Sequence, residues 1–152
     1  MSPTMSEQRS LHVLIVEDEP GDARLMQLAL RNGGFAIELT AAGDGVEALQ
    51  MLRREGERFR SAPRPDLILL DLKMPGQSGI GFLKEVKQSE QLRAIPVVIV
   101  TTSLLDTDVL AAYRAGAAGY VPKSADLKEF MAAINILGQY WFRLARLPLN
   151  RD

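Results

Sequence analysis

Short apolar segments alternate with longer amphipathic ones along this chain, and this alternation predicts five strands and five helices. The predicted strands are Leu11–Val16, Phe35–Ala42, Leu67–Leu70, Val97–Thr101 and Gly119–Pro122. The first and third are almost wholly apolar, which is typical of strands buried on both faces. The predicted helices run from Pro20 to the stop signal Asn32-Gly33-Gly34, from Gly45 to Glu55, from Gly79 to Gln88, from about Asp106 to Ala115, and from Ala125 to about Arg146.

Apolar residues recur at helical spacing within these helices. In the second helix, Val46, Leu49 and Leu52 are expected on one buried face. The last helix carries six residues that are expected to face the core: Leu127, Phe130, Met131, Ile134, Leu137 and Trp141. The segment from Gly56 to Pro65 contains three arginines and two prolines and is expected to be a polar surface loop.

Five strand–helix units in succession favour an α/β fold with a parallel sheet and right-handed crossovers. The expected architecture is a doubly wound sheet in the order 2-1-3-4-5, with helices on both faces and therefore three layers. We expect one domain over residues 11–146, a disordered leader over 1–10 and a tail over 147–152. On this reading no DNA-binding or effector domain follows the last helix.

Composition narrows the possible functions. The 152 residues include 18 Lys plus Arg and 19 Asp plus Glu, for a net charge of −1, which argues against a bulk electrostatic hold on nucleic acid or on an anionic membrane. There is no cysteine, and the one histidine, His12, lies at the start of the first strand. No apolar stretch is long enough to span a membrane, and the first ten residues do not form a signal peptide, so the expected location is the cytoplasm.

Candidate chemistry lies at the carboxyl ends of the strands, where open α/β sheets bind their ligands. In the order 2-1-3-4-5 the switch point falls between the first and third strands. The residues at these ends are acids, hydroxyls and one lysine: Glu17-Asp18-Glu19, Asp71, Thr101-Thr102-Ser103 and Lys123. Glu19 is expected to be solvated, and Thr102 and Ser103 to begin the loop that follows.

Clustered carboxylates repel one another unless a cation neutralises them. Oxygen ligands without His or Cys favour a hard ion, Mg²⁺, with open positions that suit phosphate oxygens. A hydroxyl and a lysine would contact the remaining phosphate oxygens. An aspartate between the metal and the lysine is well placed to attack phosphorus. Glu17 has an alternative role, because an outward-pointing glutamate would also stabilise the N-terminus of the helix that follows through the helix dipole.

Four segments in register, VEDEP, LLDLKMPGQSG, VVIVTTS and GYVPKS, resemble the receiver domains of two-component response regulators. The resemblance covers about Leu11 to Leu137 and implies the flavodoxin-like receiver fold. It implies that Asp71 accepts a phosphoryl group from a histidine kinase and that Mg²⁺ is the cofactor. The implied metal ligands are Glu17, Asp18, Asp71 and the main-chain carbonyl of Lys73.

The same resemblance assigns roles to three more residues. Thr101 would bond the phosphoryl group, Lys123 would pair with it, and Tyr120 would turn inward as Thr101 moves. Receivers usually follow the lysine with a proline in a cis bond, whereas Ser124 stands here, so the geometry of the Lys123–Ser124 bond is left open.

The chain is most similar to single-domain regulators of phytochrome-type histidine kinases, through its arginine-bearing loop, IPVVIVTTS and a long last helix ending in WFRLARLP. Beyond that helix, Phe142, Leu144, Leu147 and Leu149 continue the apolar character. This predicts a homodimer through the fourth helix, the fifth strand, the fifth helix and the extension. Output would pass through protein contact or phosphorelay, with no nucleic acid and no membrane as partner.

Three other functions share features with this sequence. A Mg²⁺-dependent phosphatase with an aspartyl nucleophile uses similar chemistry, but its nucleophile normally follows the first strand, and hydrolysis of generic phosphate esters would reveal it. A degenerate receiver would act only as a binding module, but all site residues are present. A flavin binder would need hydroxyl residues, where Glu17 and Asp18 stand. We therefore expect a signalling switch that phosphorylates and slowly dephosphorylates itself, without acting as an enzyme on other substrates.

Overall fold

The computed structural model describes residues 10–74, 76 and 78–148. Its five strands are β1 (Leu11–Val16), β2 (Ile37–Ala42), β3 (Leu67–Leu70), β4 (Val97–Thr101) and β5 (Gly119–Pro122). Its six α-helices are α1 (Pro20–Asn32), α2 (Gly45–Arg53), α3 (Gly56–Phe59), α4 (Gly79–Gln88), α5 (Asp106–Arg114) and α6 (Leu127–Gln139). A π-helical turn, Tyr140–Leu144, continues from α6.

The strands form one parallel sheet in the order β2-β1-β3-β4-β5, which confirms the predicted topology. Val16 at the end of β1 pairs with Ala42 of β2 and with Leu70 of β3. Thr101 at the end of β4 pairs with Pro122 of β5. Because the strands are parallel and end at similar levels, the residues that follow them meet at one edge of the sheet.

Alternate residues of each central strand face opposite layers of helices. In β1, Leu14 and Val16 pack toward α2, α4 and α5, while Val13 and Ile15 pack toward α1 and α6. All residues of β3 and β4 are buried, as expected for strands covered on both faces. The sheet is therefore the rigid platform on which its carboxyl edge is held.

Two residues predicted to face the core are exposed. In α2 the buried stripe is Gly45, Ala48, Leu49 and Leu52, so Val46 lies on the other side of the helix and is 53% exposed. Leu127 is 57% exposed, because it lies in the first turn of α6 beside an open groove with Ser124 and Ala125. The other predicted core residues of the last helix are buried or packed against the core.

Element boundaries shift where local chemistry overrides the apolar pattern. Helix α2 ends at Arg53, two residues before the predicted end, because Arg54 adopts a left-handed conformation with φ 55°. The last helix begins at Leu127, since the side chain of Asp126 caps it by accepting a hydrogen bond from the backbone N–H of Glu129 at 3.0 Å.

The remaining departures are small. Strand β2 begins at Ile37 rather than Phe35, and α5 ends at Arg114 rather than Ala115. The predicted loop contains the short helix α3, whose Phe59 is buried. The predicted leader lies outside the described residues except for Ser10, and the tail residues 149–152 also lie outside them. None of the helices in the described part of the chain combines the length and apolar character needed to cross a bilayer.

Gly79 determines how closely α4 approaches the end of β3. A Cβ atom added to Gly79 would lie 2.6 Å from both the carbonyl oxygen of Asp71 and the Cα of Leu72. We predict that Gly79→Ala lowers the free energy of unfolding by about 1–3 kcal/mol, because the clash is with backbone that must shift. A urea denaturation midpoint measures this.

The matched control is Gly43→Ala, because a Cβ atom there would meet nothing within 4 Å. It should change the free energy of unfolding by less than about 0.5–1 kcal/mol. Equal destabilisation by the two substitutions would show that the close approach of α4 to β3 does not constrain the fold.

Candidate functional site

Three carboxylates meet at the carboxyl edge of the sheet. Glu17 and Asp18 follow β1, and Asp71 follows β3. One carboxylate oxygen from each lies within 4.8 Å of the others, and Glu17 and Asp71 are buried while Asp18 is exposed. The structure thus brings together the three acids that the sequence predicted at this edge.

Lys123 extends from the end of β5 into this cluster. Its side chain is 7% exposed, and its Nζ donates hydrogen bonds to Glu17 Oε1 at 2.6 Å, Asp22 Oδ2 at 2.9 Å and Asp71 Oδ2 at 3.1 Å. Its backbone N–H donates to the Thr101 carbonyl at 2.7 Å, which fixes its position against β4. Burial alone would lower the pKa of Lys123, but the bonds to Glu17 and Asp22 raise it well above its ordinary value.

Glu17 points into the protein, not toward solvent. Its Oε1 accepts from Lys123, and its Oε2 accepts from the Glu19 backbone N–H at 3.1 Å. Burial raises the pKa of Glu17 to about 7, with a further contribution from the Asp71 charge, and the bond to Lys123 opposes this rise. Near neutral pH this carboxyl group therefore exists in both its protonated and its ionised form.

Asp71 is held as an ionised carboxylate. Burial alone would raise its pKa, but the Lys73 backbone N–H, which donates to Oδ1 at 3.1 Å, and the Lys123 ammonium lower it below its ordinary value. The Asp71 backbone N–H donates to the Val16 carbonyl at 3.0 Å, which continues the pairing of β1 with β3. Asp71 therefore presents a charged carboxylate that contacts Lys123 and belongs to the acid cluster.

Thr101 brings an unused hydroxyl to the same edge. It is fully buried at the end of β4, and its Oγ1 lies near enough to Asp71 to help lower the pKa of that carboxylate, but it makes no well-formed hydrogen bond among the described residues. A buried hydroxyl without a partner costs free energy, so this position suits a ligand oxygen.

Tyr120 and Ser103 form a second network beside the site. The Tyr120 hydroxyl donates to the Ser103 carbonyl at 2.9 Å, and the buried Ser103 hydroxyl donates to Asp108 Oδ2 at 2.5 Å. Burial raises the pKa of Tyr120. Ser103 lies in the loop that follows β4, as predicted, and its contacts there tie β4, β5 and α5 together.

The Lys123–Ser124 bond is trans, since the described residues contain no cis peptide bond. The Ser124 hydroxyl donates to Glu129 at 2.8 Å and accepts from the Asp126 backbone N–H at 3.1 Å, next to the cap of α6. Lys123 thus reaches the acid cluster without a proline after it.

Asp22 is a site residue that the sequence analysis missed. It lies in the first turn of α1, the helix that follows β1, and its carboxylate contacts Lys123. Its signal in the sequence was an acid in the first turn of a helix that follows a strand-end acid pair. His12, in contrast, lies at the opposite end of β1, where its Nδ1 is 3.4 Å from Glu38, as expected for a residue outside the site.

The donor set fits a hard divalent cation. Three carboxylates contact the Lys123 ammonium, and a fourth, Asp18, lies beside two of them, so the acids outnumber the one cation. The cluster Glu17, Asp18 and Asp71 offers only oxygen ligands, which are those that Mg²⁺ and Mn²⁺ prefer. The exposed Asp18 leaves the site open to solvent on one side.

A parallel five-stranded sheet thus carries this acid cluster, hydroxyl and lysine at its carboxyl edge. Residues 13–135 match the family model described as the response regulator receiver domain, and the chain belongs to this family.

Among curated relatives, the chain is 38% identical over 136 residues to the response regulator Rcp1 of Synechocystis sp. (strain ATCC 27184 / PCC 6803 / Kazusa), covering 90% of this chain and 92% of that one. The Mn²⁺-bound form of Rcp1 superposes with a TM-score of 0.87 at 37% identity, covering 91% and 99% of the two chains. The phosphorylated cyanobacterial phytochrome response regulator RcpA superposes with a TM-score of 0.89 at 38% identity, covering 93% and 100%.

We predict that divalent metal binding releases a proton. Because the pKa of Glu17 is raised to about 7, the carboxyl group is protonated below that pH, and a proton must leave before the oxygen can face a cation. The Mg²⁺ dissociation constant should therefore rise as pH falls from about 8 to about 5.5, approaching tenfold per pH unit below 7.

Isothermal titration calorimetry in buffers of different ionisation enthalpy measures both the affinity and the proton release. Proton release that is largest at the acidic end of this range supports the assignment. An affinity that stays constant between pH 5.5 and 8 would show that Glu17 does not titrate with the metal.

Proposed function

We propose that this chain is a response regulator that accepts a phosphoryl group on Asp71 from a histidine kinase, with Mg²⁺ as cofactor. The observation that carries the proposal is the position of Asp71. Its carboxylate is ionised, belongs to an acid cluster that fits a divalent cation, and lies 3.1 Å from the ammonium of Lys123. Membership of the receiver family and the similarity to RcpA, a phosphorylated regulator, support it.

In this mechanism Glu17, Asp18, Asp71 and the main-chain carbonyl of Lys73 would hold Mg²⁺. The bound ion would supply positive charge that offsets the negative charge of the phosphoryl oxygens. A carboxylate oxygen of Asp71 attacks phosphorus. The bond from phosphorus to the histidine nitrogen of the kinase breaks as the new oxygen–phosphorus bond forms, and the histidine leaves as a free imidazole. Lys123 and the Thr101 hydroxyl contact the phosphoryl oxygens, so the chain supplies positioning and charge stabilisation.

We infer that the phosphoryl group acts on Thr101 and Tyr120 by selecting one of two arrangements. Thr101 gains a partner for its buried hydroxyl when a phosphoryl oxygen is present. Because Tyr120 is hydrogen-bonded to the Ser103 carbonyl, two residues after Thr101, a shift of this loop changes the place of the tyrosine. The phosphoryl group shifts the equilibrium by binding one arrangement more tightly.

The kinase that we propose as partner is of the phytochrome type. This proposal rests on similarity to known regulators. RcpA is a phytochrome response regulator, and RtBRR, which is 40% identical with a TM-score of 0.71, is a bacteriophytochrome response regulator. The matches to Rcp1, RcpA and RtBRR each cover more than nine tenths of this chain. The aspartyl phosphatase alternative is disfavoured, because Asp71 follows β3 while the end of β1 carries Glu17 and Asp18. The role is therefore that of a switch in a phosphorelay.

The test is phosphorylation by acetyl phosphate and Mg²⁺, followed on phosphate-affinity gels. We expect a retarded, Mg²⁺-dependent species in the wild-type protein and none in Asp71→Asn, because an amide oxygen does not form the acyl phosphate. A candidate kinase should phosphorylate the same residue.

The matched control is Asp66→Asn, the same change in another buried aspartate next to the same strand. Asp66 immediately precedes β3, at the end opposite Asp71, and its carboxylate accepts from the His12 backbone N–H at 3.0 Å. This variant should still be phosphorylated. A retarded species that persists in Asp71→Asn, or that is lost equally in Asp66→Asn, would contradict the proposal.

We propose a homodimer through α5, β5, α6 and the Tyr140–Leu144 turn. Six large apolar side chains of α5, α6 and this turn are exposed: Leu110, Tyr113, Leu127, Ile136, Tyr140 and Leu144. Only part of the extension is available for a partner, because Trp141 and Phe142 pack against the core of the same chain. The segment around Leu149 lies outside the described residues.

We predict a dimer in solution at micromolar concentration, measured by light scattering with and without a phosphoryl mimic. Leu144→Glu together with Ile136→Glu should shift the mass to that of a monomer that still unfolds cooperatively, because both side chains are exposed in the single chain. A wild-type mass of one chain under both conditions would contradict the dimer.

A further inference from the structure

Asp22 lies outside the acid pair that follows β1, yet it contacts Lys123. We propose that Asp22 is a positioning residue for phosphoryl transfer, which holds the Lys123 ammonium beside Asp71 while the metal ion takes over the lysine's other two partners. This inference rests on the proposed function of Asp71.

The first argument concerns the three protons of the Lys123 ammonium. Glu17, Asp22 and Asp71 accept one each, at 2.6, 2.9 and 3.1 Å, so the donor capacity of the lysine is used up. Two of these acceptors, Glu17 and Asp71, also belong to the acid cluster that fits a divalent cation. The lysine and the cation therefore draw on the same oxygens.

Of the three carboxylates bonded to Lys123, Asp22 alone lies outside the acid cluster that fits a cation. Among the described residues, the metal-competent cluster contains Glu17, Asp18 and Asp71 but not Asp22. A cation on that cluster would weaken the contacts of Lys123 with Glu17 and Asp71 through like-charge repulsion and competition for oxygen lone pairs. Asp22 then remains as the carboxylate that keeps the ammonium in place.

The contact joins two elements that are fixed independently. Asp22 lies on the first turn of α1, where Pro20 begins the helix and the backbone N–H of the buried Ala23 donates to the Glu19 carbonyl at 3.0 Å. Lys123 is fixed to β4 through the Thr101 carbonyl. The bond therefore bridges residues 101 positions apart in the sequence and sets where the ammonium lies, rather than following from local chain geometry.

The competing explanation is a general one. Asp22 is an acid at a helix N-terminus, where negative charge is favourable, and its side chain is 34% exposed. If that were its whole role, a neighbouring acid at the same helix end would be equivalent. Glu19 provides this comparison, because it caps the same helix by accepting from the Gly21 backbone N–H, while the Lys123 ammonium bonds to Glu17, Asp22 and Asp71.

Loss of Asp22 should leave the lysine on the metal-binding oxygens. In Asp22→Ala we expect the Mg²⁺ dissociation constant to rise about three- to fivefold, the range for a partly exposed ion pair. Phosphorylation by acetyl phosphate at saturating Mg²⁺ should slow by a similar factor. Asp22→Asn keeps an acceptor oxygen and should recover part of both losses, while Glu19→Gln should change neither beyond twofold.

A readout independent of phosphorylation is the NMR signal of the Lys123 ammonium. In the wild-type protein this signal should persist on addition of Mg²⁺, since Asp22 still protects the ammonium from exchange with water. In Asp22→Ala it should broaden on addition of Mg²⁺ and in Asp22→Asn it should persist. Urea denaturation midpoints confirm that the variants are folded.

The two proposals fail differently. A wild-type protein that takes no phosphoryl group on Asp71 would overturn the proposed function, while the metal affinity and the lysine signal would still decide the role of Asp22. Equal losses of Mg²⁺ affinity in Asp22→Ala and Glu19→Gln would reduce Asp22 to a general charge and overturn the inference. A faster phosphorylation or a tighter Mg²⁺ affinity in Asp22→Ala would identify Asp22 as a competitor, with the same consequence.

Discussion

The burial of carboxylates at the edge of the sheet depends on one ammonium group. Glu17 and Asp71 are both removed from water, and like charges so close together could not both ionise without a cation between them. Lys123 supplies that cation with bonds of 2.6 and 3.1 Å to the two acids. The remaining negative charge of the cluster suits a divalent ion. Burial raises the pKa of Glu17 to about 7, with a smaller contribution from the neighbouring Asp71 charge.

The sheet makes this arrangement possible through its register. The pairing of Val16 with Leu70 brings the residues that follow β1 and β3 together, and the pairing of Thr101 with Pro122 brings Lys123 to the same level. Gly79 lets α4 approach the backbone of Asp71. The chemistry therefore follows from strand order and strand length, with little contribution from long loops.

Much of this was predictable from sequence because the signal is periodic and local. The bounds of β1, β3, β4 and β5 follow directly from apolar runs, and the site residues follow from what stands after each run. The faces of Val46 and Leu127 were predicted wrongly. Apolar spacing in the short helix α2 does not show which side meets the sheet, and Leu127 lies in the first turn of α6 beside an open groove. The contacts of Asp22 and Ser103 join distant segments, and only the folded structure reveals them.

The central claim is that Asp71 is the residue that carries the phosphoryl group. Borohydride reduction of the phosphorylated protein converts an acyl phosphate to an alcohol, and peptide mass spectrometry then locates the reduced side chain. The account predicts reduction at position 71 alone, dependent on both Mg²⁺ and phosphodonor. An unmodified Asp71, with the phosphoryl group found on another side chain, would contradict it.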